Sequence, residues 1–283
     1  MWPNFKILLR NHYKGPLRAA ILDWSGTVTD RYVIAPAVVF QKVFESKGVP
    51  ISMEEAREPM GLRKDLHIKA ITEMEHVKER WDLVHGRMPT DRDVEDMFAE
   101  FVPAQIDCLP EYSSIIPGTR RAVRRLRTGL NLKIGATTGF TRPMADVLLK
   151  SLKAQGYEPD VNVTGDEVEH GARPMPFMLY ENMERLGVFP IQSVVKVDDT
   201  IGGIGEGRNA GCWTVGVSRY SNYMNINSYE EESRLTEKEI IYRNNVTKDI
   251  LKKTGAHYVI DSIKELPDVC YEINQKLASG IHP

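Results

Sequence analysis

Arg18-Ala19-Ala20-Ile21-Leu22-Asp23-Trp24-Ser25-Gly26-Thr27 is the stretch on which the reading of this chain turns. A short apolar run stops at an aspartate and passes into Gly26, Thr27 and Thr29, which are turn-forming or β-leaning residues. That pattern predicts a buried strand ending in a polar turn. Upstream, residues 1–17 read as an irregular lead-in that ends at Gly15-Pro16.

Downstream of the turn the texture changes. Val39, Phe40, Val43 and Phe44 recur at helical spacing, and Pro36 suits a first helical turn. Residues 53–112 are rich in Glu, Arg, Met and His and break into helical pieces at Glu54–Glu58, Lys64–Met74, Val77–His85 and Asp91–Val102. Thr90 or Asp91 can accept a hydrogen bond from an orphan N–H and so start a helix. From Pro117-Gly118 onward, β-rich runs at 132–138, 161–164, 194–199, 212–217 and 257–260 alternate with helices at 119–128, 143–154, 174–186, 204–210 and 263–278. Such alternation predicts a Rossmann-like parallel sheet covered on both faces. The polar segment 218–245 reads as a loop passing into a helix. The expected organisation is an α/β core at 1–33 and 114–283, interrupted by an all-helical cap domain at 34–113.

Bulk composition narrows the function without deciding it. The chain has 283 residues, 42% apolar and 27% charged, and a formal net charge of −2. That is ordinary for a soluble globular protein and lacks the basic excess of a nucleic-acid binder. The longest apolar run near the start, Ile7-Leu8-Leu9, is too short for a signal peptide, and no stretch approaches a membrane span. Cys108, Cys212 and Cys270 are scattered and odd in number, with no CxxC, which fits a reducing cytoplasm. The arginines at 120, 121, 124, 125 and 127 read as the wet face of a helix that buries Ala122, Val123 and Leu126.

Ligands of open α/β sheets bind beyond the carboxyl ends of the strands. Four polar clusters fall there: Asp23-Trp24-Ser25-Gly26-Thr27, Thr137-Thr138-Gly139, Gly171-Ala172-Arg173-Pro174 and Asp198-Asp199-Thr200. Each alone has a plain reading as a turn residue, a β-former or a surface cation. Together they offer a nucleophile, a hydroxyl, a fixed cation and an acidic pair on one rim. A carboxylate can attack phosphorus and split one hard step into two. A hard dication held by Asp23 and Asp199 would relieve the charge repulsion. Arg173 and the Thr138 hydroxyl would hold the remaining oxygens.

The order of the clusters and the helical insertion after the first resemble the haloacid dehalogenase superfamily. That superfamily normally has Asp-x-Asp in its first motif, and the second Asp serves as general acid/base in phosphate-ester hydrolysis. Here the position is Ser25, which cannot protonate an alkoxide leaving group. From about residue 18 to the C-terminus the chain resembles the phosphonatase branch. The resemblance rests on Asp23–Thr27, the cap segment Pro59-Met60-Gly61-Leu62-Arg63-Lys64-Asp65-Leu66-His67, Thr137–Arg142 and Glu206–Gly211. The cap segment is the most specific of these.

The resemblance implies C–P bond cleavage in a small phosphonate, Mg²⁺ as cofactor and a homodimeric assembly. It implies Asp23 as nucleophile, with Asp199 and the Ser25 main-chain carbonyl on Mg²⁺. Thr138, Gly139, Arg173 and Met60 are expected to line the substrate site. Lys64 would form a Schiff base, assisted by His67 three residues on, which shares its helix face. C–P heterolysis needs an electron sink, and a protonated imine provides one; with that sink, Ser25 is no defect. The branch usually has Gly before the fourth-motif Asp and an acid four residues after it, whereas this chain has Asp198 and Gly203. Asp198 is read as supplying the missing charge from the other side. Phe140 stands where some relatives have Tyr. Competing readings are a superfamily phosphatase or mutase acting on a small phosphate ester, and a catalytically silent interaction module.

Overall fold

The structure is a computed structural model and describes residues 13–283. Of the expected lead-in over residues 1–17, the first twelve, with Ile7-Leu8-Leu9 and His12, lie outside the described residues. Six strands form one sheet: β1 (Ala19–Leu22), β2 (Lys133–Thr138), β3 (Val161–Thr164), β4 (Val194–Asp198), β5 (Trp213–Val217) and β6 (Tyr258–Ile260). All pairings are parallel and the order is β3-β2-β1-β4-β5-β6. β1 is therefore central, with β2 on one side and β4 on the other, and strand order reverses there. That reversal opens a crevice at the carboxyl ends of the strands.

The register decides what meets in the crevice. Leu22 pairs with Ala136 on β2 and Val197 on β4. One residue on, Asp23, Thr137 and Asp198 fall in a row, and Thr138 and Asp199 follow. Successive residues of a strand face opposite sides. Accordingly, Ala20 and Leu22 join the cluster with Ile134, Ala136, Val195 and Val197, whereas Ala19 and Ile21 pack with Leu179, Leu186 and Ala210. Helices on both faces supply those partners: α6 (Thr119–Leu130), α7 (Arg142–Ala154), α8 (Phe177–Leu186), α9 (Ile201–Ala210), α10 (Tyr229–Arg234), α11 (Glu237–Lys253) and α12 (Leu266–Ala278). On α6, Ala122, Val123 and Leu126 are buried, and Arg125 and Arg127 pair outward with Asp268 and Asp160.

Between β1 and β2 the chain forms α1 (Ile34–Ser46), α2 (Met53–Arg57), α3 (Lys64–Thr72), α4 (Glu75–His85) and α5 (Asp91–Tyr112). Thr90 caps α5 through a capping box with Asp93, as the Thr90-Asp91 signal predicts. The expected end of that helix at Val102 is too early. The helix runs ten residues further, through Pro103 and Pro110, because Gln105 and Leu109 continue its buried stripe. The loop expected at 218–245 contains a short turn at Asn222–Met224 and two helices, α10 and the start of α11. The helix expected from residue 174 starts at Phe177, and that expected from 204 starts at Ile201, where Thr200 caps it. Among the described residues, no helix is long and apolar enough to cross a membrane.

Candidate active site

At the carboxyl end of β1, Asp23 is 5% exposed and its N–H donates to Val197 at 2.9 Å. It meets Asp198 and Asp199 there, and one carboxylate oxygen from each lies within 4.8 Å of the others. Three acids that close and that dry resist ionising together. Burial, reinforced by the charge of Asp198, raises Asp23 to about 6. Burial, with Asp23 and Asp198 nearby, raises Asp199 well above the usual carboxylate range. Burial also pushes Asp198 upward, but Arg173, Lys196 and a hydrogen bond from Thr200 outweigh it, so Asp198 stays low.

Two buried cations balance the acids. Arg173 Nη2 lies 2.7 Å from Asp23 Oδ1 and 3.3 Å from Asp198 Oδ2, and Nε lies 3.2 Å from Glu206 Oε2. The same Nη2 donates to the Thr137 carbonyl and hydroxyl at 2.8 Å. Lys196 Nζ lies 3.0 Å from Asp198 and 3.1 Å from Glu206. Asp198 Oδ1 accepts from the Thr200 N–H at 3.0 Å and its hydroxyl at 2.8 Å. Asp199 is held differently. Its Oδ2 accepts from the Asn222 N–H at 2.8 Å, while Oδ1 is buried without a hydrogen-bond partner. A cluster of hard oxygen donors with one left unsatisfied suits a hard divalent cation.

Facing the rim is the start of α3. Lys64 is 5% exposed, with Nζ 5.1 Å from the Phe140 ring centre and 5.7 Å from that of Phe40. Burial lowers its pKa to about 8, against a smaller upward pull from Asp23. Asp23, Ser25, Met60, Lys64, Thr138, Gly139, Phe140, Arg173 and Asp199 line one cavity of about 30 Å³. Roughly 10–15 Å³ suffices for one water, so the cavity has room for little more than water. Gly139 permits the close approach of the Met60–Lys64 segment: a Cβ there would lie 2.6 Å from the Leu62 carbonyl oxygen. A groove of about 720 Å³ over Arg120, Arg121 and Arg124 is larger but lacks any acid or metal-binding set.

Comparison with known proteins agrees with this arrangement. A family model described as haloacid dehalogenase-like hydrolase matches residues 17–211. A phosphonoacetaldehyde hydrolase from Bacillus cytotoxicus is 44% identical over 260 residues, covering 92% of this chain and 97% of the relative. The chain belongs to the phosphonoacetaldehyde hydrolase family of haloacid dehalogenase-like hydrolases. A crystal structure of a phosphonoacetaldehyde hydrolase-like protein from Oleispira antarctica superposes with a TM-score of 0.92 at 33% identity, covering 100% of this chain and 99% of that one. A beta-phosphoglucomutase from Clostridium difficile, at TM-score 0.65 and 18% identity over 92% of this chain and 98% of its own, shares the fold alone.

In this haloacid dehalogenase-like hydrolase, eight of the ten residues singled out from sequence line the one cavity, and the other two, His67 and Asp198, lie beside it. His67 is fully buried and stacked on Phe40 with ring centres 3.9 Å apart. Its Nε2 donates to the Ala56 carbonyl at 3.0 Å, which leaves Nδ1 as a lone pair without a partner. Burial and the Lys64 charge hold the ring neutral. Asp198 touches Lys196, Arg173 and Thr200, and it fills the space beside Gly203: a Cβ on Gly203 would lie 1.8 Å from Asp198 Oδ2. A carboxylate rooted at 198 and a side chain at 203 therefore exclude each other.

Sequence reasoning gave no role to Lys196, Glu206, Arg57 or Asn222. A lone lysine inside the apolar run Val194-Val195-Lys196-Val197 was the available signal for the first. Its acid partner Glu206 lies in the glycine-rich helix α9.

Proposed function

We propose that this protein hydrolyses the C–P bond of phosphonoacetaldehyde to acetaldehyde and phosphate. The observation that carries the reading is a buried lysine with a depressed pKa, held over aromatic rings in the same closed cavity as Asp23 and Arg173. A phosphate-ester hydrolase needs no amine there, whereas a carbonyl substrate does.

Neutral Lys64 adds to the aldehyde carbon, and loss of water gives the protonated imine. His67, three residues on and with Nδ1 free of a partner, would pass the proton that Lys64 sheds on to substrate or water, since burial keeps the ring itself neutral. The Asp23 carboxylate attacks phosphorus, the P–C bond breaks, and its electron pair enters the imine to leave an enamine. The products of that step are an aspartyl-phosphate and the enamine. Protonation at carbon and attack by water on the resulting imine release acetaldehyde and free Lys64. A second water attacks the aspartyl-phosphate and releases phosphate. Arg173 and the Thr138 hydroxyl hold the phosphoryl oxygens, with the Gly139 backbone and Met60 completing the wall. Thr138 Oγ1 already accepts from the Phe140 N–H at 3.2 Å, which fixes the hydroxyl's orientation.

Asp23, Asp199 and the Ser25 carbonyl would hold Mg²⁺, with Asp198 beside them. The ion supplies charge neutralisation for carboxylate attack on an anionic phosphoryl group. Asp198 serves best as the fixed negative charge that anchors Arg173 and Lys196. We place the all-helical cap at 34–113 over a core at 1–33 and 114–283. Opening of the cap admits substrate, since the closed cavity is too small for it. Homodimeric assembly fits the exposed apolar side chains of Met175, Tyr180 and Phe189 around α8. A cytoplasmic setting fits three cysteines that form no disulfide.

The test is product analysis with phosphonoacetaldehyde and Mg²⁺. Wild type should release acetaldehyde and phosphate in equal amounts, and Lys64→Arg should release neither. Phosphate release from a generic phosphate ester that survives Lys64→Arg would support the phosphatase reading instead.

A further inference from the structure

Arg57 is the last residue of α2, and its side chain is buried away from its own helix. Nε donates to Asn227 Oδ1 at 3.0 Å, and Nη2 to the Ile226 carbonyl at 2.7 Å. Nη1 donates to the Tyr32 carbonyl at 2.6 Å and to Asn222 Oδ1 at 2.9 Å. The Asn222 side-chain amide returns a hydrogen bond to the Arg57 carbonyl at 3.1 Å. The backbone N–H of that same Asn222 donates to Asp199 Oδ2 at 2.8 Å. Asn222 thus grips α2 with its side chain and Asp199 with its main chain. Three residues after Arg57 begins the segment Met60–Lys64, which forms one wall of the cavity.

We infer that Arg57 and Asn222 are positioning residues that couple docking of the helical segment carrying Lys64 to the orientation of Asp199. The inference rests on the reading of Asp199 as a metal-holding carboxylate. When α2 lifts, a buried guanidinium loses four acceptors at once, and Asn222 loses both of its side-chain partners. Such an element is docked or undocked rather than graded, because a half-satisfied buried polar network is costly. Coupling between two sites is reciprocal. Docking through Arg57 should strengthen metal binding at Asp199, and metal binding should hold the helical segment down.

The experiment measures Mg²⁺ affinity by calorimetry and amide hydrogen exchange over residues 57–72, both without substrate. Asn222→Ala removes the side-chain grip and keeps the N–H to Asp199. It should weaken Mg²⁺ binding about tenfold, within the usual range of coupling between sites. Arg57→Ala should match it and Arg57→Lys should recover part of the loss. Arg80→Gln breaks a different tie of α2, to Glu55 at 2.6 Å, and should leave Mg²⁺ affinity unchanged. Mg²⁺ should slow exchange over 57–72 in wild type and not in Asn222→Ala. Unchanged affinity in Asn222→Ala, an equal loss in Arg80→Gln, or exchange indifferent to Mg²⁺ in wild type overturns the coupling. If wild type binds no Mg²⁺, the metal reading of Asp199 fails and the coupling falls with it. Should Arg57→Ala not fold, Asn222→Ala and Arg57→Lys carry the test.

Discussion

On the sheet rim, Arg173 and Lys196 share Asp23, Asp198 and Glu206 in a buried ion-pair network. Across the cavity, Lys64 is as dry but is surrounded by Phe40 and Phe140 and, among the described residues, forms no ion pair. The rim keeps its charges by pairing them, and the helical side sheds its charge by denying it partners. The difference follows from the elements used. Parallel strands bring Asp23, Lys196 and Asp198 to one edge at fixed register, and Arg173 from the loop after β3 and Glu206 from α9 complete the network, so that opposite charges satisfy one another. A single lysine at the start of a short helix meets only what packs against it, and burial lowers its pKa to about 8. Under the proposed function, one side would bind and attack a phosphoryl anion and the other would offer a neutral amine to a carbonyl.

If Asp23 is the nucleophile, as proposed, its removal has the largest effect. Asp23→Asn should cut turnover by about 10⁴-fold or more, as losses of a covalent catalytic group do. It should leave the Lys64 adduct with substrate intact, which mass spectrometry after reduction can show. Arg173→Gln removes the proposed phosphoryl contact and should cost about 10²–10³-fold in kcat/KM. The helical side should answer to pH. Only the neutral amine attacks, so the rate of adduct formation should rise about tenfold per pH unit below the Lys64 pKa and level off above about 8. Phe140→Glu places a carboxylate beside the ammonium and should move that limb to higher pH. A limb that stays in place would mean that burial does not set the Lys64 pKa.

The smallest effect is on stability. Gly203→Ala puts a Cβ where the Asp198 carboxylate sits and should cost about 1–3 kcal/mol, read as a fall in Tm. Asp198→Gly by itself should destabilise, because it strips Arg173 and Lys196 of a buried partner, but in that background the further change Gly203→Ala should cost less than it does in wild type. An equal cost in both backgrounds would mean that 198 and 203 do not share one space.

The rim was largely legible in the sequence. An apolar run stopped by Asp23, and another stopped by Asp198-Asp199, place acids at strand ends by periodicity alone. Lys64 was legible only by resemblance to a family, because a lysine on a polar helix gives no sign that it will be buried. Arg57 and Asn222 gave none either. They lie 165 residues apart, and their hydrogen bond exists only once α2 meets the loop after β5. The course of α5 past Val102 was missed because local proline signals yield to a buried stripe.

Reductive trapping decides whether Lys64 condenses with the aldehyde. Protein incubated with phosphonoacetaldehyde and borohydride should lose activity and carry one reduced adduct, mapped by peptide mass spectrometry to Lys64. No adduct, or an adduct on another lysine with activity lost in parallel, would mean that Lys64 is not the amine that carries the reaction.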